Sequence, residues 1–426
     1  MAQFAQAEVK AGVFQDCSPC EEISECNPCD EVSCDPCEAI CGTKKSKWFV
    51  TGYLEAGIFA NEYGNKNFYL HGGHHPVFGS HSHNHVLYGN GGGYSPHPDA
   101  TSLKPLQNVS NTGLQVNQLY VSVGKSVDGS HGWDFGGTVD FTFGTDASMV
   151  QAAGLEYNTG HLDSWGTGDY YSAFAQAYFE AAYKKWNVKV GKFYAPFGSN
   201  GYQSTSRFFY SLADTFAFVP ATAGGAYATY TVNDELTVYG GWVQPDQFGE
   251  TSHNNAFLGG AIWQVSKRLN VHYALGIGKN DYQGADTDYF VNSLVTTYQI
   301  NKKWKYIFDW SLANYTDNTN KADPHSGTYG INNELIYQYN SKWAFGARAG
   351  WTHGYSSGDN KYTFSLGANW TPTKWLLIKP ELRYDKYEDA TPFNIRVKRD
   401  GEKYITDKSL VKNDQLSGGI SAIVKF

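Results

Sequence analysis

Lys342-Trp343-Ala344-Phe345-Gly346-Ala347-Arg348-Ala349-Gly350-Trp351-Thr352 alternates without a break. Trp343, Phe345, Ala347, Ala349 and Trp351 fall on one side of an extended chain. Ala344, Gly346, Arg348, Gly350 and Thr352 fall on the other. A period of two is the signature of a strand with one apolar face. The next hairpin arm repeats it: Leu376, Ile378, Pro380, Leu382 and Tyr384 oppose Leu377, Lys379, Glu381, Arg383 and Asp385. Leu269, Val271, Tyr273, Leu275 and Ile277 likewise oppose Asn270, His272, Ala274, Gly276 and Gly278. Composition suits this pattern, with 46 glycines, 31 tyrosines, 25 phenylalanines and only 17% charged residues in 426. No apolar run approaches the roughly 20 residues that a membrane helix needs.

Alternation alone also fits a soluble sandwich, and the connections decide between them. The pattern predicts sixteen strands near 47–59, 114–125, 132–144, 172–183, 186–195, 217–231, 235–245, 255–265, 268–279, 288–300, 303–315, 328–340, 342–354, 361–371, 374–386 and 414–426. Every second connection is tiny, as at Lys184-Lys185, Asn233-Asp234, Ser266-Lys267, Asn301-Lys302, Ser341 and Pro372-Thr373. The others are longer, including 60–113, 145–171, 196–216 and 387–413. An even number of antiparallel strands, with short turns at one rim and long loops at the other, predicts an all-β, single transmembrane antiparallel β-barrel. It would have short periplasmic turns and long extracellular loops. Lys47-Trp48, Lys185-Trp186, Lys303-Trp304, Lys342-Trp343 and Lys374-Trp375 open strands at the short-turn rim. That spacing places indoles in a ring at headgroup level.

Trp133-Asp-Phe-Gly-Gly-Thr-Val-Asp140, Ala177-Tyr-Phe-Glu180, Val188-Lys-Val-Gly-Lys-Phe-Tyr194, Arg207-Phe-Phe-Tyr-Ser211, Leu236-Thr-Val-Tyr-Gly-Gly-Trp242 and Ile378-Lys-Pro-Glu-Leu-Arg-Tyr-Asp385 resemble the putative beta-barrel porin-2 family of outer-membrane proteins. The resemblance implies a channel in the bacterial outer membrane and transfers no catalytic residue. It leaves two segments unexplained. Residues 1–46 form an acidic cysteine-rich tail, expected in the periplasm, ahead of a barrel over 47–426. The tail holds Cys17, Cys20, Cys26, Cys29, Cys34, Cys37 and Cys41, and no cysteine follows. Its tandem C-x-P-C units suit either disulfides, in an exported chain, or a tetrahedral metal. The first long loop carries His71, His74, His75, His81, His83 and His85, a weak metal-binding pattern or simply a solvated surface loop.

The expected function is passive diffusion of small hydrophilic solutes or ions through an aqueous lumen, without cofactor. The alternative is a structural or adhesive envelope protein, anchored by the barrel and cross-linked by the tail. No nucleophile–base motif, P-loop or dinucleotide fingerprint indicates an enzyme. A net charge of −8 argues against nucleic-acid binding. The partners expected are outer-membrane lipid, the barrel-assembly machinery and further copies of the chain, with a trimer favoured. Pore-lining groups are expected on strand polar faces: Arg348, Lys379 and Arg383 with Asp140, Glu180, Asp309, Glu334, Glu381 and Asp385, joined by Glu55, Lys189 and Lys305. Arg207 and Asp214 lie in the 196–216 loop, which is expected to fold inward and narrow the pore.

Overall fold

The computed structural model describes residues 47–62, 114–158, 161–167, 170–246, 248, 255–279, 287–318, 325–354, 358–389, 397–400, 403–406 and 412–426. Sixteen long strands follow in chain order: Trp48–Asn61 (β1), Gln115–Lys125 (β2), Trp133–Gly144 (β3), Tyr170–Tyr183 (β4), Trp186–Tyr194 (β5), Thr222–Thr231 (β6), Leu236–Pro245 (β7), Asn255–Ser266 (β8), Leu269–Lys279 (β9), Thr287–Gln299 (β10), Trp304–Asp317 (β11), His325–Gln338 (β12), Trp343–Gly354 (β13), Asn360–Thr373 (β14), Leu376–Tyr387 (β15) and Asp414–Lys425 (β16). Each pairs antiparallel with its neighbours in sequence. The last pairs with the first, from Tyr53↔Lys425 to Asn61↔Ser417. Closure matters physically, because an open sheet edge in hydrocarbon would leave backbone amides and carbonyls without partners.

The alternation expected from sequence is the alternation observed. Leu366, Leu382, Val50 and Trp48 are among the most exposed large apolar side chains, at 59–70%. Their opposite-facing neighbours on β15, Lys379, Glu381, Arg383 and Asp385, are buried. A soluble sheet would reverse this arrangement, so the outside of the barrel is built for lipid.

Three of the short turns share one device. The Asn301 Oδ1 accepts from the backbone N–H groups of Lys303 and Trp304, at 2.9 and 3.1 Å. Asn340 does the same for Lys342 and Trp343, at 2.8 and 2.9 Å. Asn233 accepts from Glu235 and Leu236. An asparagine that mimics a backbone turn sets these three hairpins, and at two of them the residue it presents at the next strand's start is Trp. Ser266 plays the same part for Arg268 and Leu269. Trp343 stacks on Trp370 at 5.4 Å, and Trp304 packs on Tyr337 at 4.6 Å. These cross-strand pairs form the expected girdle.

Two expectations change. Strand six begins at Thr222 rather than 217, because Asp214–Phe218 forms a 3-10 turn within the preceding loop. The 145–171 connection is not purely an outer loop. Its first part, a 3-10 turn over Thr145–Val150 followed by residues to Glu156, is mostly buried, with Val150, Ala152 and Ala153 fully so.

Candidate functional site

The loop between β5 and β6, residues 195–221, runs inside the barrel. Its apolar side packs against the inner wall from β5 to β11. Phe197, Phe218 and Val219 join a buried cluster with Tyr227, Leu258 and Val291, side chains that point inward from β6, β8 and β10. Burying such rings drives insertion without any ion pairing.

Its polar side is fastened to β11 through β15. The carboxylate of Asp309 on β11 accepts from the Ser199 N–H and hydroxyl, at 2.8 and 2.9 Å, and from the Thr215 hydroxyl. Glu334 on β12 accepts from the Asn200 amide at 3.0 Å. On β13, Arg348 donates to the Ser211 carbonyl at 3.0 Å and stacks over the Phe209 ring. Glu381 on β15 accepts from the Ser211 N–H at 2.8 Å. The Lys379 ammonium donates to the carbonyls of Ser204 and Arg207, at 3.0 and 2.9 Å. The Asp214 carboxylate accepts from Lys361 at 2.7 Å, from Arg383 at 2.8 Å, and from the Thr363 hydroxyl. Arg383 is held in turn by Asp385.

The third side is made by β1, β2 and the 145–156 segment. At Asn117 the pairing of β1 with β2 slips by one residue, since Glu55 faces Gln118 and Ala56 faces Val116. The bulge turns two successive side chains into the lumen, and both reach the loops. Asn117 bonds Thr145 and Tyr210. Gln118 donates to Asp146 and the Tyr202 carbonyl and accepts from the Ser204 N–H. Arg207 lies between Asp146, at 3.4 Å, and Glu55, at 3.8 Å. Behind this, Lys192 on β5 and Glu156 form a fully buried ion pair at 2.8 Å. The end of the loop is capped by Asp246, just past β7, whose carboxylate accepts from the N–H groups of Ala221 and Thr222. Burial pushes that carboxyl up to about 7, against the lowering effect of those amides and of Lys192.

The charges expected from sequence are therefore inside the barrel, and most of them are covered rather than open to water. Arg348, Lys379, Arg383, Glu381, Asp385, Asp140, Asp309 and Glu334 are each no more than 3% exposed. Arg207 and Asp214 in the loop are also buried. Glu180, Lys189 and Lys305 are only partly buried, and Glu180 and Lys189 face a cavity of about 520 Å³ between the loop's underside and the short-turn rim. The cysteines Cys17 to Cys41 and the histidines His71, His74, His75, His81, His83 and His85 lie outside the described residues.

Sequence reasoning missed the sockets for the loop. Inward-facing Gly346 and Gly367 lie under the rings of Phe208 and Phe209, and Gly57 lies under the Tyr210 hydroxyl. A Cβ at Gly346 or Gly57 would overlap those rings. The available signal was a glycine on the polar face of a strand, matched to the Phe-Phe-Tyr run.

A family model described as "Putative beta-barrel porin-2, OmpL-like" matches residues 89–426. The fold is similar to that of an anion-selective porin from Comamonas acidovorans, with a TM-score of 0.54 at 9% identity over 89% of this chain and 99% of that one. OmpT of Vibrio cholerae, in its trimer form, gives 0.53 at 13% identity over 89% and 99%. The outer-membrane channel DcaP of Acinetobacter baumannii gives 0.53 at 10% identity over 89% and 97%. No curated protein matches the sequence.

Proposed function

We propose, from the premise that this chain belongs to the beta-barrel porin-2 family and is an outer-membrane porin, a channel rather than an enzyme, that the 195–221 loop is its constriction. Small hydrophilic solutes and ions diffuse passively through the lumen, and the loop decides which of them pass. The observation that carries this reading is the fastening of Ser199, Asn200, Ser211 and Asp214 to Asp309, Glu334, Glu381 and Arg383. Hydrogen-bonded charges of both signs hold the loop at a fixed depth, so the opening is a built dimension rather than a fluctuating one. Pore-lining roles then divide. Glu180 and Lys189 bear on passing solutes, whereas Arg207, Asp214, Arg348, Lys379, Arg383, Glu381 and Asp385 act by holding the loop.

Planar-bilayer recording tests this directly. Deleting 200–212 raises single-channel conductance severalfold in this reading, and unchanged conductance places the constriction elsewhere. The working unit we propose is a homotrimer, supported by the trimer form described for the Vibrio cholerae protein. Mass measurement in detergent, with the detergent subtracted, separates a trimer from a monomer.

A further inference from the structure

The cavity under the loop has a composition that the constriction does not explain. Gln203 and Thr205 on the loop form its roof, β1 to β5 form its wall, and Phe49 and Lys425 stand at its mouth on the periplasmic rim. Its volume, about 520 Å³, falls in the range of small-molecule sites, roughly 300–1,000 Å³.

The charged side chains that line it, Asp140, Glu180, Lys189 and Lys425, sum to zero. The Lys189 ammonium lies 3.8 Å from Glu180 and 4.8 Å over the Tyr178 ring. Asn187 donates to Glu180 at 2.8 Å. Asp140 accepts from the Tyr120 hydroxyl and from the Gln176 amide. A charged solute entering here would shed water without meeting a net opposite charge, which is costly. A neutral solute rich in hydroxyls loses less. Amides of Gln176, Asn187 and Gln203 and the hydroxyls of Ser122 and Thr138 offer it paired donors and acceptors. The partly exposed ring of Tyr178 supplies apolar surface for the C–H face of a sugar ring, backed by the buried rings of Tyr53 and Tyr120, which stack on each other at 5.1 Å.

We propose that this cavity is a binding subsite for neutral polyhydroxylated solutes of the saccharide class. The inference rests on the porin reading for its biological use, but the subsite itself is testable without it.

The experiment uses the full-length protein and maltotriose. In planar bilayers, maltotriose added on the periplasmic side should reduce the ion current saturably, at millimolar half-blocking concentration. Tyr178→Ala should raise that concentration about tenfold, and Asn187→Ala should raise it severalfold. Calorimetric titration of the detergent-solubilised protein with maltotriose should give matching affinities and the same order of variants. A current that falls linearly with maltotriose, without saturation, overturns the proposal. So does block by glutamate or lysine at lower concentration than by maltotriose. If no channel events are seen but calorimetry shows the expected binding, the porin reading fails while the subsite stands. Channel events with no calorimetric binding overturn the subsite and leave the porin reading standing.

Discussion

The Arg383 guanidinium on β15 lies 2.8 Å from the Asp214 carboxylate, joining a strand near the end of the chain to the loop between β5 and β6. Lys361 reaches the same carboxylate at 2.7 Å, and Asp385 lies 2.8 Å from Arg383. The four groups sum to zero, so the cluster holds the loop without leaving a net charge in the lumen. Removing one member of such a buried set strands its partners, a loss of roughly 3–5 kcal/mol. Asp214→Ala should therefore loosen the loop, not simply delete a charge. Single-channel traces should show added open-state noise and a higher mean conductance. A clean shift in reversal potential with quiet, unchanged conductance would show Asp214 acting on ions directly.

The same logic revises what neutralising Arg348 and Arg383 does. Both donate to Ser211 or its neighbour Leu212, and both are covered by the loop. The double change Arg348→Met with Arg383→Met should raise conductance as well as shift selectivity toward cations. Selectivity moving alone, with conductance fixed, would return these residues to the open wall.

Socket filling gives an orthogonal check, since it alters no charge. Phe208 occupies the space beside Gly346, and Phe209 lies 3.0 Å from where a Cβ at Gly367 would stand. Gly346→Leu should push Phe208 off the wall and displace the loop into the lumen. Conductance should change by twofold or more while the heat-modified gel shift of the folded barrel persists. The pair Gly346→Leu with Phe208→Ala should restore most of the original conductance, because volume is conserved across the contact.

Much of this was legible from sequence, for a physical reason. A membrane barrel has lipid on one face of every strand, so alternation in β13, β14 and β15 survives without exceptions from tertiary packing. Turn length sorted the two rims, and Asn301 and Asn340 fix their turns with local bonds alone. The lumen was less legible. Arg348 and Arg383 alternate correctly with Phe345 and Leu382, but period says only that they point inward. Whether water or a loop meets them depends on contacts some 170 positions away, such as Glu381 with Ser211, which no local pattern encodes. The 145–156 segment escaped notice because small residues such as Ala152, Ala153 and Gly154 suit a solvated turn as well as a packed one.

Asp246 predicts a pH dependence whose sign can be worked out. Its carboxyl has an ordinary value of 3.8 and is pushed up to about 7 in the folded protein. Between those values the unfolded chain is ionised while the folded one keeps its proton. Folding then costs more as pH rises through this window, and the cost levels off above it. Thermal unfolding in detergent should accordingly occur at a higher temperature at pH 5 than at pH 8, so far as this group controls it. Asp246→Asn keeps an acceptor for Ala221 and Thr222 and should narrow that difference. An equal pH difference in the variant would assign the effect to other groups.

The seam of the barrel offers the last prediction. Gly52 and Phe426 exchange backbone hydrogen bonds in both directions, each at 3.0 Å. A Cβ added at Gly52 would sit 2.5 Å from the Phe426 ring and 2.6 Å from the Tyr120 carbonyl. The ring thus lies directly over a position with no side chain, and Gly52 fixes where the chain's terminal aromatic rests. β16 and β1 must meet for the barrel to close, so a misplaced Phe426 should slow closure more than it weakens the finished sheet. Gly52→Ala should lower the folded fraction, read as the heat-modifiable band after refolding into detergent, by about half or more. Deleting Phe426 should lower it further. If Gly52 acts through Phe426, adding Gly52→Ala to the deletion should do little more, since two changes that remove one contact are not additive. Losses that add in full would mean that the Tyr120 carbonyl, and not the terminal ring, requires glycine at this position.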